Sequence, residues 1–184
     1  NILRCRLAFL YFAQNRPEVA FEQYCVALEQ TPQDFQVNYQ LALFLVTQNR
    51  CNEALACLER ACASQPQNGG VYSFWANVCL QLGENSQAQA VLEKALQVGI
   101  RVDAGVHTDW AALYMAQNKE NQAVNELSEA LEDEPGHIEA SIRLSTLFCH
   151  HNQLNEAVKT LEQALKFHPN SLSLHRRLGE VFIL

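Results

Sequence analysis

The phrase Gln14–Asn15–Arg16 recurs unchanged at Gln48–Asn49–Arg50, 34 residues later, and a near-copy stands at Gln117–Asn118–Lys119. Prolines keep the same beat: Pro32, Pro66, Pro135 and Pro169 are spaced by 34, 69 and 34 residues. A fixed period of this length means stacked copies of one supersecondary unit, which removes most globular topologies at once. With each proline set at place 32, the chain divides into repeats 1–34, 35–68, 69–102, 104–137 and 138–171, and 172–184 opens a sixth. One proline is missing, at Ile100, and one residue, Asp103, is surplus.

The columns of this alignment read as helix faces. Place 20 holds Ala20, Ala54, Ala88, Ala123 and Ala157; place 27 holds Ala27, Ala61, Ala95, Ala130 and Ala164. Between them, place 24 holds Tyr24, Leu58, Leu92, Leu127 and Leu161. Steps of four and three put these on one side of a helix, with small residues admitting a close neighbour and a large one filling the gap. Earlier in each repeat, place 8 is small (Ala8, Ala42, Ala76, Ala111, Ser145, Gly179) between large residues at places 7 and 11. Each repeat is therefore predicted to be two amphipathic helices, A and B, paired as an antiparallel hairpin. Place 15 holds Asn15, Asn49, Gly83, Asn118 and Asn152, residues that tolerate the left-handed backbone a reversing helix end needs. Place 18 (Glu18, Asn52, Ser86, Asn121, Asn155) holds mostly expected N-caps of helix B, and in the first repeat Pro17 takes a first-turn role instead.

Composition narrows the function. Nearly half the residues are hydrophobic and Gly and Pro are scarce, so the chain buries a core and favours helix. Its net charge of −7, with basic residues dense only at Arg176–Arg177 and at Arg4 and Arg6, argues against nucleic-acid binding. Seven cysteines without a C-x-x-C pair form no disulfide framework and read as small buried residues of a reducing, cytoplasmic compartment. No apolar run reaches the length of a membrane span. The opening NILRCRLAFLYFAQ has the flavour of a leader, yet it falls in register with the repeats, and without an initiator Met the chain reads as a piece of a longer protein.

Together the columns match W-x2-L-G-x2-Y…A-x3-F…P, and the chain resembles the tetratricopeptide repeat family over essentially its whole length. The resemblance implies an all-α fold, a right-handed superhelical solenoid of antiparallel helix hairpins. It also implies an interaction scaffold whose concave, A-helix wall receives an extended or helical segment of a partner protein. Carried over at places 5, 9, 12 and 13, the partner-binding candidates are Tyr39, Leu43, Ser73, Asn77, Gln81, Thr108, Met115, Ile142, Thr146 and His150. Two specialised modes lack their residues. Places 5 and 9 of the first two repeats (Cys5, Phe9, Tyr39, Leu43) offer no cation to clamp a carboxylate, and place 6 (Arg6, Gln40, Phe74, Asp109, Arg143, Arg177) carries no asparagine ladder. The sequence departs from the pattern at QVGIRVDAG, residues 97–105, where altered packing or a longer or frayed helix end is expected.

Other chemistry is sparse. Ile2, Cys5, Phe9 and Phe12 should make the first repeat's wall strongly apolar, either as an anchor pocket or as a face covered by a preceding element. Val181, Ile183 and Leu184 leave a second apolar end, so self-association of Phe9 and Phe12 against Phe182 and Leu184 is an alternative. The fourth repeat concentrates carboxylates in EALEDEP, residues 129–135. Cys149–His150–His151 does not form a metal site, because adjacent helical side chains point about 100° apart. No phosphate loop, catalytic dyad or cofactor motif is present. The chain is thus expected to be non-enzymatic, with a role as the targeting arm of a larger enzyme, such as a transferase, as the other alternative.

Overall fold

Every A-to-B reversal turns on one left-handed residue. Asn15, Asn49, Asn118 and Asn152 have φ of 60°, 59°, 57° and 58°, and Gly83 has φ of 75°. At the first turn the Asn15 N–H donates to the Phe12 carbonyl and the Arg16 N–H to the Tyr11 carbonyl. The same two bonds recur at the other four turns, giving each helix end a Schellman closure that satisfies carbonyls otherwise left open. Helix B starts at the next residue but one, so place 16 is its cap: Arg16, Arg50, Glu84, Lys119 and Gln153, none with a capping side-chain bond. The place-18 residues expected as caps lie inside the first turn of B instead. The closure uses up the whole connection and leaves no residue between turn and helix.

A computed structural model of the chain describes residues 2–183. Among these are eleven α-helices and no strand. The helices are α1 (Ile2–Ala13), α2 (Pro17–Gln30), α3 (Phe35–Thr47), α4 (Cys51–Ser64), α5 (Gly69–Gln81), α6 (Asn85–Gln97), α7 (Ala104–Ala116), α8 (Glu120–Asp133), α9 (Ile138–His150), α10 (Leu154–Phe167) and α11 (Leu172–Val181). Odd numbers are A helices and even numbers B helices. They fall into two compact units, one ending at Ile100 and one starting at Arg101. In the first, the hairpins α1–α2, α3–α4 and α5–α6 stack in chain order, α3 lying on both α1 and α2. In the second, α7–α8 and α9–α10 stack in the same manner, and α11 closes on α9 and α10.

Two different stops end the B helices. α2, α4, α8 and α10 run 14 residues each and stop before Thr31, Gln65, Glu134 and His168, whose φ values lie between −128° and −141°. Each of these precedes a proline, whose ring excludes the helical conformation from the residue before it. α6 lacks that proline. It is one residue shorter, and it ends through Gly99 at φ 85°, with Gly99 and Ile100 donating to the Leu96 and Ala95 carbonyls. The helix end expected to be longer or frayed is therefore closed by a glycine stop of the kind used at the hairpin turns. Asp103, surplus by counting, accepts a bond from the Val106 N–H at 3.1 Å and caps α7 as Asp34 caps α3.

The small-large-small stripe forms the core. The alanines of places 20 and 27 and the large residues of place 24 are all buried. Place 7 varies: Leu41, Trp75 and Leu144 are buried, Trp110 and Leu178 half-buried, and Leu7 exposed. Of the buried polar residues Asn38, Thr108, Ser141 and Ser145, the first ties elements together. Asn38 is fully buried; its amide donates to the Pro32 and Asp34 carbonyls at 2.9 and 2.8 Å, and its oxygen accepts from Arg60 Nε at 2.8 Å. It thereby ties α4 to the turn that leads into α3.

Substitutions at two positions test these devices by urea denaturation. Asn38→Leu leaves the Pro32 carbonyl and the Arg60 Nε–H without their partner, while the Asp34 carbonyl keeps the residue-38 backbone N–H, and is expected to cost about 2–4 kcal/mol. At Gly83, Val imposes a β-branched side chain on a left-handed residue and should cost roughly 2 kcal/mol, while Asn should stay within about 1 kcal/mol of the parent. Equal losses for Gly83→Val and Gly83→Asn would show that the turn does not depend on backbone sign.

Candidate partner-binding site

In the first compact unit, consecutive A helices approach each other differently. Between α3 and α5 the gap is filled: Tyr39 meets Phe74 edge-on at 5.8 Å and stacks on Phe35 at 5.6 Å. Between α1 and α3 the equivalent places hold Cys5, which is drawn fully into the core, and Gln40. Neither fills the space. A cavity of about 630 Å³ opens there, lined by Arg6, Phe9, Leu10 and Phe12 of α1, Gln40, Leu43, Phe44 and Thr47 of α3, and Tyr24 of α2.

Its floor is rigid and aromatic. Phe44, buried, sits 5.5 Å from Phe12 in an edge-to-face contact, 5.4 Å from Tyr24 and 6.3 Å from Phe21. Burial pushes the Tyr24 hydroxyl up to about 12, so it stays neutral at the floor of the cavity. The rim is open, with Phe9 62% and Leu43 41% exposed. Such a concave, mostly apolar space with a few polar groups at its edge is how binding pockets are commonly built.

The ten sequence candidates divide by environment. Leu43 lines the cavity. On the same helices, Tyr39, Ser73 and Asn77 are half-buried, Asn77 donating to the Ser73 carbonyl at 2.9 Å, and Gln81 is exposed near Cys51. In the second unit Thr108 is buried and its hydroxyl donates to the Ala104 carbonyl, so that side chain is not offered to solvent as expected. Its hydroxyl is taken up by its own helix, whereas Tyr39 reaches across to Phe74. Met115 and Ile142 pack against core residues, Thr146 bonds the Ile142 carbonyl at 2.8 Å, and His150 is exposed. His150 and His151 both approach Glu120, at 3.8 and 3.2 Å. Among the described residues no group of three or more His, Cys, Asp or Glu side chains is arranged to hold a metal.

Sequence reasoning placed Phe9 and Phe12 on an apolar wall but missed Arg6, Leu10, Gln40, Phe44, Thr47 and Tyr24 as its lining. Place 10 is buried in α3, α5, α7, α9 and α11 (Phe44, Val78, Leu113, Leu147, Val181), so its exposure at Leu10 is a property of α1's neighbours. Cys5, expected on that wall, is core. At the other end of the chain Phe182 is 69% exposed, while Leu184 lies outside the described residues. No helix among the described residues is long and apolar enough to cross a membrane.

Tetratricopeptide repeat family models match residues 35–68 and 114–178, more than half the chain between them. No curated protein matches the sequence. Among solved structures, the chain is similar to a thermophilic TPR protein of Thermus thermophilus, with 26% identity, 98% of each chain covered and a TM-score of 0.78. It also resembles in fold a chain of the APC/C hetero-tetramer Cut9-Hcn1 (15% identity, 99% of this chain and 36% of that one, TM-score 0.74). A third fold-level likeness is YrrB, described as a TPR protein with an unusual peptide-binding site (19% identity, 94% and 89% covered, TM-score 0.60).

The cysteines belong to the scaffold. All seven are free thiols; Cys25 and Cys149 are half-buried and the other five are buried. Burial pushes Cys62 and Cys79 up to about 11, the nearby Lys94 pulling Cys62 back slightly and Glu84 adding to the rise at Cys79. The folded chain then holds these protons after the unfolded chain, whose thiols titrate near 9.0, has lost them. Stability is full below that pH and falls as pH rises towards 11. Urea midpoints measured from pH 8 to 11 should show this fall, and Cys62→Ala with Cys79→Ala should reduce it. An unchanged slope in the double variant would place its origin in other groups.

Proposed function

The chain belongs to the tetratricopeptide repeat family, and we propose that it is a non-catalytic scaffold whose A-helix face holds a segment of a partner protein. The observation that carries this reading is the aromatic-floored cavity between α1 and α3, open at Phe9 and Leu43. An apolar anchor seated there gains about 25 cal/mol for each Å² it removes from water. Along α3 and α5, the half-buried Tyr39, Ser73 and Asn77 offer polar groups of the kind that accompany a bound backbone. The peptide-binding site named for YrrB fits the same role for the shared fold.

At the rim of the cavity, Leu43 is exposed and can be replaced without loss of the core. Peptides selected from a random 12-residue display library against the whole 184-residue chain should lose roughly 10-fold or more in affinity on Leu43→Arg, about 1.4 kcal/mol. Helical circular dichroism and thermal melting should not change. A folded Leu43→Arg variant that binds every selected peptide as before refutes the groove assignment.

A further inference from the structure

Charge is sorted between the two kinds of helix in the first compact unit. α3 and α5 contain no charged residue at all, and the only charges on α1 are Arg4 and Arg6. The B helices carry Glu18, Glu22 and Glu29 on α2, Glu53 and Glu59 on α4 and Glu93 on α6, with the cations Arg60 and Lys94 beside the last two. In a chain of net charge −7, the A helices of this unit thus carry only positive charges, whereas α7, α9 and α11 of the second unit carry acids. Arg4 is engaged, its guanidinium donating to Gln23 Oε1 at 3.2 Å. Arg6 is exposed on the cavity wall, and among the described residues no carboxylate pairs with it.

From this charge pattern we infer that the occupant of the α1–α3 cavity is an acidic peptide segment bearing one bulky aromatic anchor. The inference rests on the groove reading and gives it a partner chemistry. The anchor follows from the lining. Phe9, Phe12, Phe44 and Tyr24 present ring faces and edges, and a volume of about 630 Å³ exceeds what a small aliphatic side chain needs. The acidic flank follows from Arg6. A guanidinium beside an apolar pocket attracts a carboxylate through a planar, two-pronged hydrogen-bond pattern, and it repels lysine and arginine. A basic amphipathic segment finds no carboxylate on α1, α3 or α5 to receive it. Specificity is set as much by that repulsion as by the attraction.

The library selection described above decides between chemistries when its sequences are read. Selected peptides should share a Trp, Phe or Tyr with Asp or Glu within about four residues of it. Replacing that aromatic by Ala in a synthetic, fluorescein-labelled peptide should weaken binding at least 10-fold by anisotropy. Replacing its acids by Lys should weaken binding roughly 5-fold, with a smaller gap at high salt. Arg6→Glu should reverse the preference so that the Lys-flanked peptide binds the variant better.

Selected peptides that are sensitive to Leu43→Arg but carry basic or uncharged flanks overturn this inference and leave the groove reading standing. Selected peptides insensitive to Leu43→Arg overturn both. A concentration-dependent dimer, seen by light scattering, that excludes the selected peptides overturns it in favour of a second copy of the chain as the occupant.

Discussion

The structure depends on how closely two helices can approach, and alanine sets that distance. At places 8, 20 and 27 the side chain is nearly always a single methyl, and the helices of a hairpin meet across it with almost no exposed surface. Place 24 then supplies the volume that the alanines give up, with Leu or Tyr filling the core to the density of a protein interior. Enlarging either alanine would force the helices apart, and truncating place 24 would leave a cavity costing about 2–5 kcal/mol. The turn geometry serves this contact. A left-handed residue followed at once by helix B keeps the connection short enough for the two stripes to face each other.

What was legible in the sequence was whatever repeats. The hairpins, the left-handed column and the buried stripe each appear five times, so one odd residue does not hide them. Local capping was read less well. The Asn and Ser of place 18 look like caps by residue type, but the Schellman closure gives that role to place 16 before they can act. The missing proline was visible and its outcome was not, because Gly99 only becomes a stop once the chain folds back at φ 85°.

The site was legible in part for a related reason. Place numbers name a face, but they do not say how each side chain on it is engaged. Tyr39 and Thr108 share place 5; the tyrosine spans towards the next A helix and the threonine retreats to its own backbone. The cavity is a space left unfilled, by Cys5 turning inward and Gln40 standing where Phe74 stands one repeat later. No single residue announces such a space. Its apolar lining and the sorting of charge between A and B helices are properties of the set.

The short left-handed connections also bear on how the molecule folds. Each hairpin closes on a loop of a few residues, and most packing partners lie within one repeat or its neighbour along the chain. Loop-closure entropy is then small at every step, and chains rich in such local contacts fold quickly. Because α3 leans on α1 and α2 while α5 leans on α4, a formed hairpin offers the next a surface on which to condense. Growth can begin at more than one hairpin and spread to neighbours, as in a one-dimensional lattice. Opening should proceed in the same units, with the helices that have fewest neighbours exchanging their amide protons first.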